Sequence, residues 1–336
     1  MEEMTAMLEP TAHTDCQPIH QARIEDLDMG LVQRHISRAQ ERGRLTGPSE
    51  PLPYLQRHHG AIAIDGTLVP TLAGVLTFAL EPEQWITTAG IDLAQFKGTS
   101  PRSTHLRFLE QVRGPLFAVI DRAAQILWDR SEHGYHLEGN QRVEDHSYPQ
   151  IVLRELTTNA LCHRDWSQSG SRVRIQMFDQ MVEWISPGGL PAGITIENLL
   201  EAQYSRNPAI VTFLFHAGYI EGLGLGMDTV FSALRESGSP LPQMRNVPHA
   251  FTICVDAKPL ATDTATPTLH GTSRKDTILL LLDHHGSLSI KELEQLLGVH
   301  RRTLQRDLRD LLESQQIATT GATNQRRYHL VPQDNL

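Results

Sequence analysis

The order of local patterns in residues 148–190 constrains this chain more than any other stretch. Pro149 suits a helix start, and Ile151, Leu153, Leu156 and Leu161 give the following segment apolar positions at roughly helical spacing. Arg172–Phe178, with Val173 and Ile175 alternating, and Met181–Ile185 read as two strands joined at Asp179-Gln180. Ser186-Pro187-Gly188-Gly189-Leu190-Pro191 follows as a turn in which bare backbone can approach a partner closely.

Glu155 and Asn159 stand four residues apart, so they share one face of the first helix. A carboxylate and an amide stacked in this way can orient a water and hold a hydrated metal ion. A solvated helix face satisfies the same spacing. Further on, Glu221-Gly222-Leu223-Gly224-Leu225-Gly226 opens onto a helical pattern, Met227–Leu234. Alternating glycines before a helix make a loop whose amides can cradle phosphates, aided by the helix N-terminus. Either glycine loop alone is weak evidence; after Glu-x-x-x-Asn, in this order, they are more specific.

These three elements resemble the nucleotide boxes of the gyrase, histidine-kinase and heat-shock-chaperone ATPase superfamily, the Bergerat fold. Arg154-Glu155, Asn159-Ala160-Leu161-x-His163-Arg164-Asp165, Ser186 through Pro191, Arg206-Asn207-Pro208 and Gly218-Tyr219-Ile220-Glu221 resemble more closely one bacterial branch, the "RecG-like C-terminal" ATP-binding regulators. The likeness covers about residues 52–255 and is densest over 148–226. It implies an α+β chain with a Bergerat-type sandwich over 148–257, preceded by an α+β segment over 21–147. It also implies that Glu155 polarises an attacking water, that Asn159 holds Mg²⁺ on the phosphates of ATP, and that Gly222, Gly224 and Gly226 wrap the triphosphate. Ser186, Gly188 and Gly189 fall in the first glycine box, and His163 matches a branch position. No lysine lies between Lys97 and Lys258, so a cationic phosphate contact falls to arginine, with Arg206 the candidate. The superfamily places an aspartate in the first glycine box to accept the adenine amino group. Ser186 stands there instead, a weaker acceptor than a carboxylate, with Asp179 as an alternative. Relatives often carry an upstream Schlafen/AlbA-type domain; the chain begins too late for one, and that activity is not expected.

A net charge of −9 argues against coating nucleic acid everywhere but leaves room for a local basic patch. Cys16, Cys162 and Cys254 are too dispersed for a disulfide framework or a zinc pattern, which implies a reduced, cytoplasmic setting. No long apolar run and no signal-like start is present, so membrane association is not expected. Residues 1–20 read as a flexible tail and Ile24–Arg42 as a helix. Leu52–Leu55 reads as a helix running into a hairpin, Ala61–Ile64 and Thr67–Val69, across Asp65-Gly66. Thr71–Phe78 suits a buried helix or strand, Ala89–Phe96 a strand, and Leu106–Arg130 one long helix broken near Gly114-Pro115. Thr195–Leu200 and Pro208–Ala217 read as helices and Phe251–Val255 as a closing strand.

Residues 258–272, rich in Thr, Ala and Pro, read as a linker. Beyond it, over 273–332, helices at Thr277–Leu282, Ser289–Leu297 and His300–Glu313 precede a hairpin of Ile317–Thr320 and Arg326–Leu330. Three helices and a hairpin make a winged helix-turn-helix, similar to DeoR-type regulators. Arg301, Arg302, Gln305, Arg306 and Arg309 lie opposite the leucine seam of the third helix, and Arg326 and Arg327 sit on the hairpin. These side chains suit phosphate and base-edge contacts on double-stranded DNA. Nine Lys/Arg against eight Asp/Glu in 274–336 equally suit a protein-docking or dimerisation module.

None of the four lysines (Lys97, Lys258, Lys275, Lys291) follows a glycine, so a P-loop motor is excluded. The leading reading is an ATP-binding, DNA-binding transcriptional regulator, acting as a homodimer, whose nucleotide occupancy modulates the winged helix. The alternatives are a weak Mg-dependent ATPase that drives partner assembly and a nucleotide-free scaffold.

Overall fold

The computed structural model describes residues 13–99, 105–138, 141–201, 204–221 and 226–260, and beyond them 275, 278–279, 281–282, 286–297, 299, 301–314, 316–320 and 327–331. Two units are distinguished, Met1–His133 with Asp145–Leu260, and Gly134–Glu144 with Ala261–Leu336.

In the first unit, α1 (Met29–Glu41) begins where the Asp28 carboxylate accepts from Leu31 N at 3.0 Å. Pro51 opens α2 (Pro51–Arg57). The hairpin of β1 (Ala61–Ile64) and β2 (Thr67–Pro70) turns through Asp65 and Gly66, both at positive φ. Leu72–Phe78 is the buried helix α3. Then come β3 (Ile91–Phe96), β4 (Leu106–Val112) and α4 (Leu116–Arg130); the paired β5 (His133–Glu138) and β6 (Gln141–His146) fall almost wholly in the second unit, and the first resumes with α5 (Gln150–Cys162). They are followed by β7 (Val173–Met177), β8 (Met181–Pro187), α6 (Pro208–Ala217), α7 (Gly226–Ser237), β9 (Gln243–Val247) and β10 (Ala250–Asp256).

Strands in the order β4-β3-β7-β8-β10-β9 form a six-stranded mixed sheet in which β3 and β7 are the parallel pair. Its register aligns Leu93, Ile175, Trp184 and Ile253 on one face, all buried. Arg174, Ile185, Thr252 and Arg245 align on the other. Burying each large side chain is worth about 1.5–3 kcal/mol, so a one-residue slip would forfeit the whole apolar face. Helix α5 lies on β8 between α4 and α7. Trp184 Nε1 donates to Thr157 Oγ1 at 3.1 Å, which satisfies both polar atoms where helix meets sheet. One apolar core runs through this unit from Ala22 to Val255. This is the α+β sandwich the resemblance implies.

Three local expectations are corrected. Residues 106–112 form a strand, not the first part of a long helix. Leu106, Leu109 and Val112 fit a helical period, yet Phe108, Glu110 and Val112 line up on one side against β3 while Leu109 is 60% exposed. Thr195–Leu200 forms turns, not a helix. Thr195 N donates to Asn198 Oδ1 and Asn198 N to Thr195 Oγ1, a reciprocal pair that closes one turn without a longer helix following. Thr14–Cys16, within the stretch 1–20 expected to be a flexible tail, is a 3-10 turn with Asp15 wholly buried. The Asp15 carboxylate accepts from Ala209 N at 2.8 Å and Ile210 N at 3.0 Å, and so caps α6, where Asn207 provides no side-chain cap.

In the second unit, the described residues between 275 and 282 are helical, followed by β11 (Leu288–Ser289), α8 (Ile290–Leu297), α9 (Arg301–Glu313), β12 (Ile317–Thr320) and β13 (Arg327–Leu330). Ser289 and Glu292 form a capping box at the start of α8. Leu293, Leu304, Leu308 and Leu311 build a core of its own, and β13 pairs with both β11 and β12. The segment 261–274, most of the expected linker, lies outside the described residues. No described helix is long and apolar enough to cross a membrane.

Candidate functional site

Helix α5 carries Glu155 and Asn159 toward a cavity of about 420 Å³, within the range of small-ligand pockets, about 300–1,000 Å³. Glu155 and Asn159 form one wall, Trp184 and Ser186 from β8 another, and Gly226 and Met227 at the start of α7 a third. Glu155 is 7% exposed, which removes the solvated-face reading of this pair. Asn159 Nδ2 donates to Glu155 Oε1 at 3.3 Å, leaving the Asn159 carbonyl oxygen as its acceptor. Burial pushes the Glu155 carboxyl above its ordinary pKa, opposed by the Asn159 bond and the Arg154 cation.

The last glycine of the second box lies tight against the carboxylate. A Cβ on Gly226 would lie 2.2 Å from Glu155 Oε1, so any side chain there would require the carboxylate to move. Gly222 and Gly224 lie outside the described residues.

Gly188 and Gly189 of the first glycine turn line the cavity, and the amides of the turn bond within the fold. Gly188 N donates to His249 O at 2.9 Å, Gly189 N to Pro248 O at 3.3 Å, and Leu190 N to Asn246 Oδ1 at 2.8 Å. The backbone that closely approaches this turn is therefore the β9–β10 connection. Gly188 has φ 96°, and a Cβ there would meet Asp165 and Arg206.

Arg206 is a brace at the cavity edge. Its guanidinium donates to Gly189 O and lies 3.8 Å from Asp165 Oδ2. Asp165 in turn accepts from Ser167 and Gln168, and its own N–H donates to Pro187 O at 2.8 Å. Asn207 Nδ2 donates to Cys162 O and Arg164 O, while Arg164, wholly buried, donates to Gln168 O and Ser171 O and stacks over Trp166. The segments His163–Asp165, Pro187–Gly189 and Arg206–Asn207 thus interlock, tying the end of α5 to the glycine turn.

Ser186 Oγ donates to Ala160 O at 2.7 Å, so its hydrogen is engaged and its lone pairs remain as acceptors at the cavity wall. Asp179 does not substitute for it. It sits at the β7–β8 turn, accepts from Gly98 N and pairs with Arg107 at 3.0 Å, and takes no part in lining the cavity. His163 lines the cavity and is exposed. Partial desolvation against the cavity wall and the nearby Arg206 cation both act to lower its pKa below the ordinary imidazole value.

On α9, Gln305, Arg306 and Arg309 are exposed opposite the buried Leu304, Leu308 and Leu311. The side chains of Arg301 and Arg302, and all of Arg326, lie outside the described residues. Arg327 is engaged within the fold, donating to Ser287 O at 2.8 Å and pairing with Glu292 at 3.1 Å. Asp310 pairs with Lys275, not with an arginine of its own helix.

Comparison with known proteins fits this division. Residues 170–255 match the family described as "Putative ATP-dependent DNA helicase recG C-terminal", and residues 274–320 match an HTH domain. The first match takes in the glycine turn and Gly226 but begins after α5. The crystal structure of the DIP2311 protein from Corynebacterium diphtheriae is similar in fold, with a TM-score of 0.55 and 17% identity. That likeness covers 95% of this chain and 70% of that one. None of the curated proteins matches the chain.

Proposed function

We propose that this chain, an ATPase-like sandwich followed by an HTH domain, is a DNA-binding regulator whose DNA affinity responds to ATP in the α5 cavity. The observation that carries the reading is the buried Glu155–Asn159 pair facing a cavity that Gly226 keeps open. Asn159 would hold Mg²⁺ through its carbonyl oxygen, as Mg²⁺ takes few protein ligands alongside phosphates. When bound, Mg²⁺ supplies charge neutralisation on the phosphate oxygens. Ser186 would accept from the base amino group through its free lone pairs, and the alternating glycines 222, 224 and 226 would approach the phosphates. Exposed Gln305, Arg306 and Arg309 would enter the major groove, and a homodimer would present two such helices to a two-fold site. Three free cysteines fit a reduced, cytoplasmic setting.

A second reading, slow hydrolysis, is favoured by one observation. The raised pKa of Glu155 moves a carboxylate toward the range in which a general base is effective.

Coupling between sites is typically worth about 1–3 kcal/mol, or about 5–150-fold in affinity. The test is duplex affinity with and without Mg²⁺ and a non-hydrolysable ATP analogue, in wild type and Asn159→Ala. The reading expects a nucleotide effect of that size in wild type and none in the variant. Equal DNA affinity with and without nucleotide in wild type would leave the HTH domain uncoupled and sink it.

A further inference from the structure

A second cleft, of about 650 Å³, lies where the C-terminal end of α1, the middle of α4 and the first turn of α5 meet the Gly218–Tyr219 turn. Arg38, Arg42 and Arg154 line it, with Gln125, Gln150 and Asp121. The single carboxylate among these is engaged, since the Tyr219 hydroxyl donates to Asp121 Oδ2 at 2.6 Å. The Arg154 guanidinium carbon lies over the Tyr219 ring, 4.7 Å from its centroid, and its Nε is buried with no hydrogen-bond partner. Gly218 has φ 75°, and a Cβ there would come within 2.5 Å of Arg42 Nη1, so the glycine makes room for that guanidinium.

Several other arginines of this unit have carboxylate partners. Arg44 pairs with Glu221, Arg107 with Asp179, Arg122 with Glu110 and Arg172 with Asp92. In a chain of net charge −9, none of Arg38, Arg42 and Arg154 has an ion-pair partner among the described residues. Their positive field is reinforced by α5, whose N-terminus has no side-chain cap and supplies Gln150 and Ile151 to the same cleft.

We propose that this cleft binds a small anion carrying two or more phosphoryl groups. Arginine forks match phosphate oxygens bidentately, and three of them around one concave space suit a compact, multiply charged group. A concave cleft between helices fits a small molecule better than a duplex, which calls for an exposed ridge or groove-entering element. The proposal does not depend on what occupies the Glu155 cavity.

The test is calorimetric titration of the full chain with inorganic pyrophosphate, in wild type, Arg38→Ala/Arg42→Ala and Arg154→Lys. Arg38 and Arg42 are exposed and unpaired, so their removal leaves the fold intact. Saturable binding in wild type, weakened about ten-fold or more in both variants, is expected. The melting shift given by Mg-ATP should be the same in the double variant as in wild type, which separates this cleft from the other cavity. Binding that both variants leave unchanged, or no heat in wild type, overturns the proposal. Loss of affinity for a short DNA duplex in the double variant, with no competition by pyrophosphate, would overturn it in favour of a nucleic-acid backbone.

Discussion

Gly226→Ala is predicted to destabilise the protein, although the same change usually stabilises a helix. Gly226 opens α7 with φ outside the left-handed region, and replacing glycine by alanine at such a site typically adds about 0.4–1 kcal/mol. Here the added carbon would sit 2.2 Å from Glu155 Oε1, far inside van der Waals contact. An exposed carboxylate would step aside. Glu155 is 7% exposed, and the oxygen in the way is the acceptor for Asn159. Overpacking of this kind costs about 1–3 kcal/mol, so once the helical gain is subtracted the net loss is about 1.3 kcal/mol at mid-range and at most about 2.6 kcal/mol. At mid-range that is a drop of about 3–5 °C in melting temperature for a domain of this size. The assay is reversible thermal or urea unfolding of wild type, Gly226→Ala, Glu155→Ala and the double variant. The double variant should recover part of the loss, because the clashing oxygen is gone. An unchanged or raised stability in Gly226→Ala would refute the packing of α7 against Glu155.

Further outcomes follow from other contacts. Glu155→Gln should stabilise the protein at pH 7–8. A carboxyl whose folded pKa is raised contributes stability that is present below its ordinary value of 4.5 and lost as pH rises through the folded value. The difference should therefore vanish in acid, and its persistence there would contradict the burial argument. Asp15→Ala should cost about 1–2 kcal/mol in urea unfolding by uncapping α6, with Asp15→Asn losing less. Tyr54→Phe should cost about 1–3 kcal/mol, because the hydroxyl bridges His35 Nε2 at 2.9 Å and His216 Nδ1 at 2.6 Å in the core. Those two histidines are held down to pKa values of about 3 and about 4 by desolvation. Groups depressed in the fold stabilise it above pH 6.5, so stability should fall between pH 6.5 and 4. A variant with both replaced by phenylalanine should show a shallower fall.

What was legible in the sequence was local. Pro149, the Glu155–Asn159 spacing, the alternation of Val173 and Ile175 and the Gly188-Gly189 turn each carry their own signal, and the structure forms α5, β7, β8 and the turn there. The leucine seam of α9 was equally plain. What failed was decided by partners far away in the chain. Residues 106–112 satisfy both periods, and only pairing with β3 selects the strand. Asp15 caps a helix 194 residues later, which no window of sequence reveals. Arg206 reads from the sequence as a cation for phosphate and does line the cavity; its bonds to Gly189 and Asp165 depend on how three separate segments meet and carry no local signal. The pairing of Arg327 with Glu292 was hidden for the same reason.

The most direct test of the central claim is the melting of wild type and Asn159→Ala with and without Mg-ATP, with Mg-GTP as control. A ligand at about one hundred times its Kd stabilises the folded state by about 2.7 kcal/mol, or several degrees for a protein of this size. The account predicts that shift with Mg-ATP in wild type, a smaller one with Mg-GTP, and none in Asn159→Ala. No shift in wild type, or an equal shift in both proteins, would contradict nucleotide binding at the Glu155–Asn159 cavity.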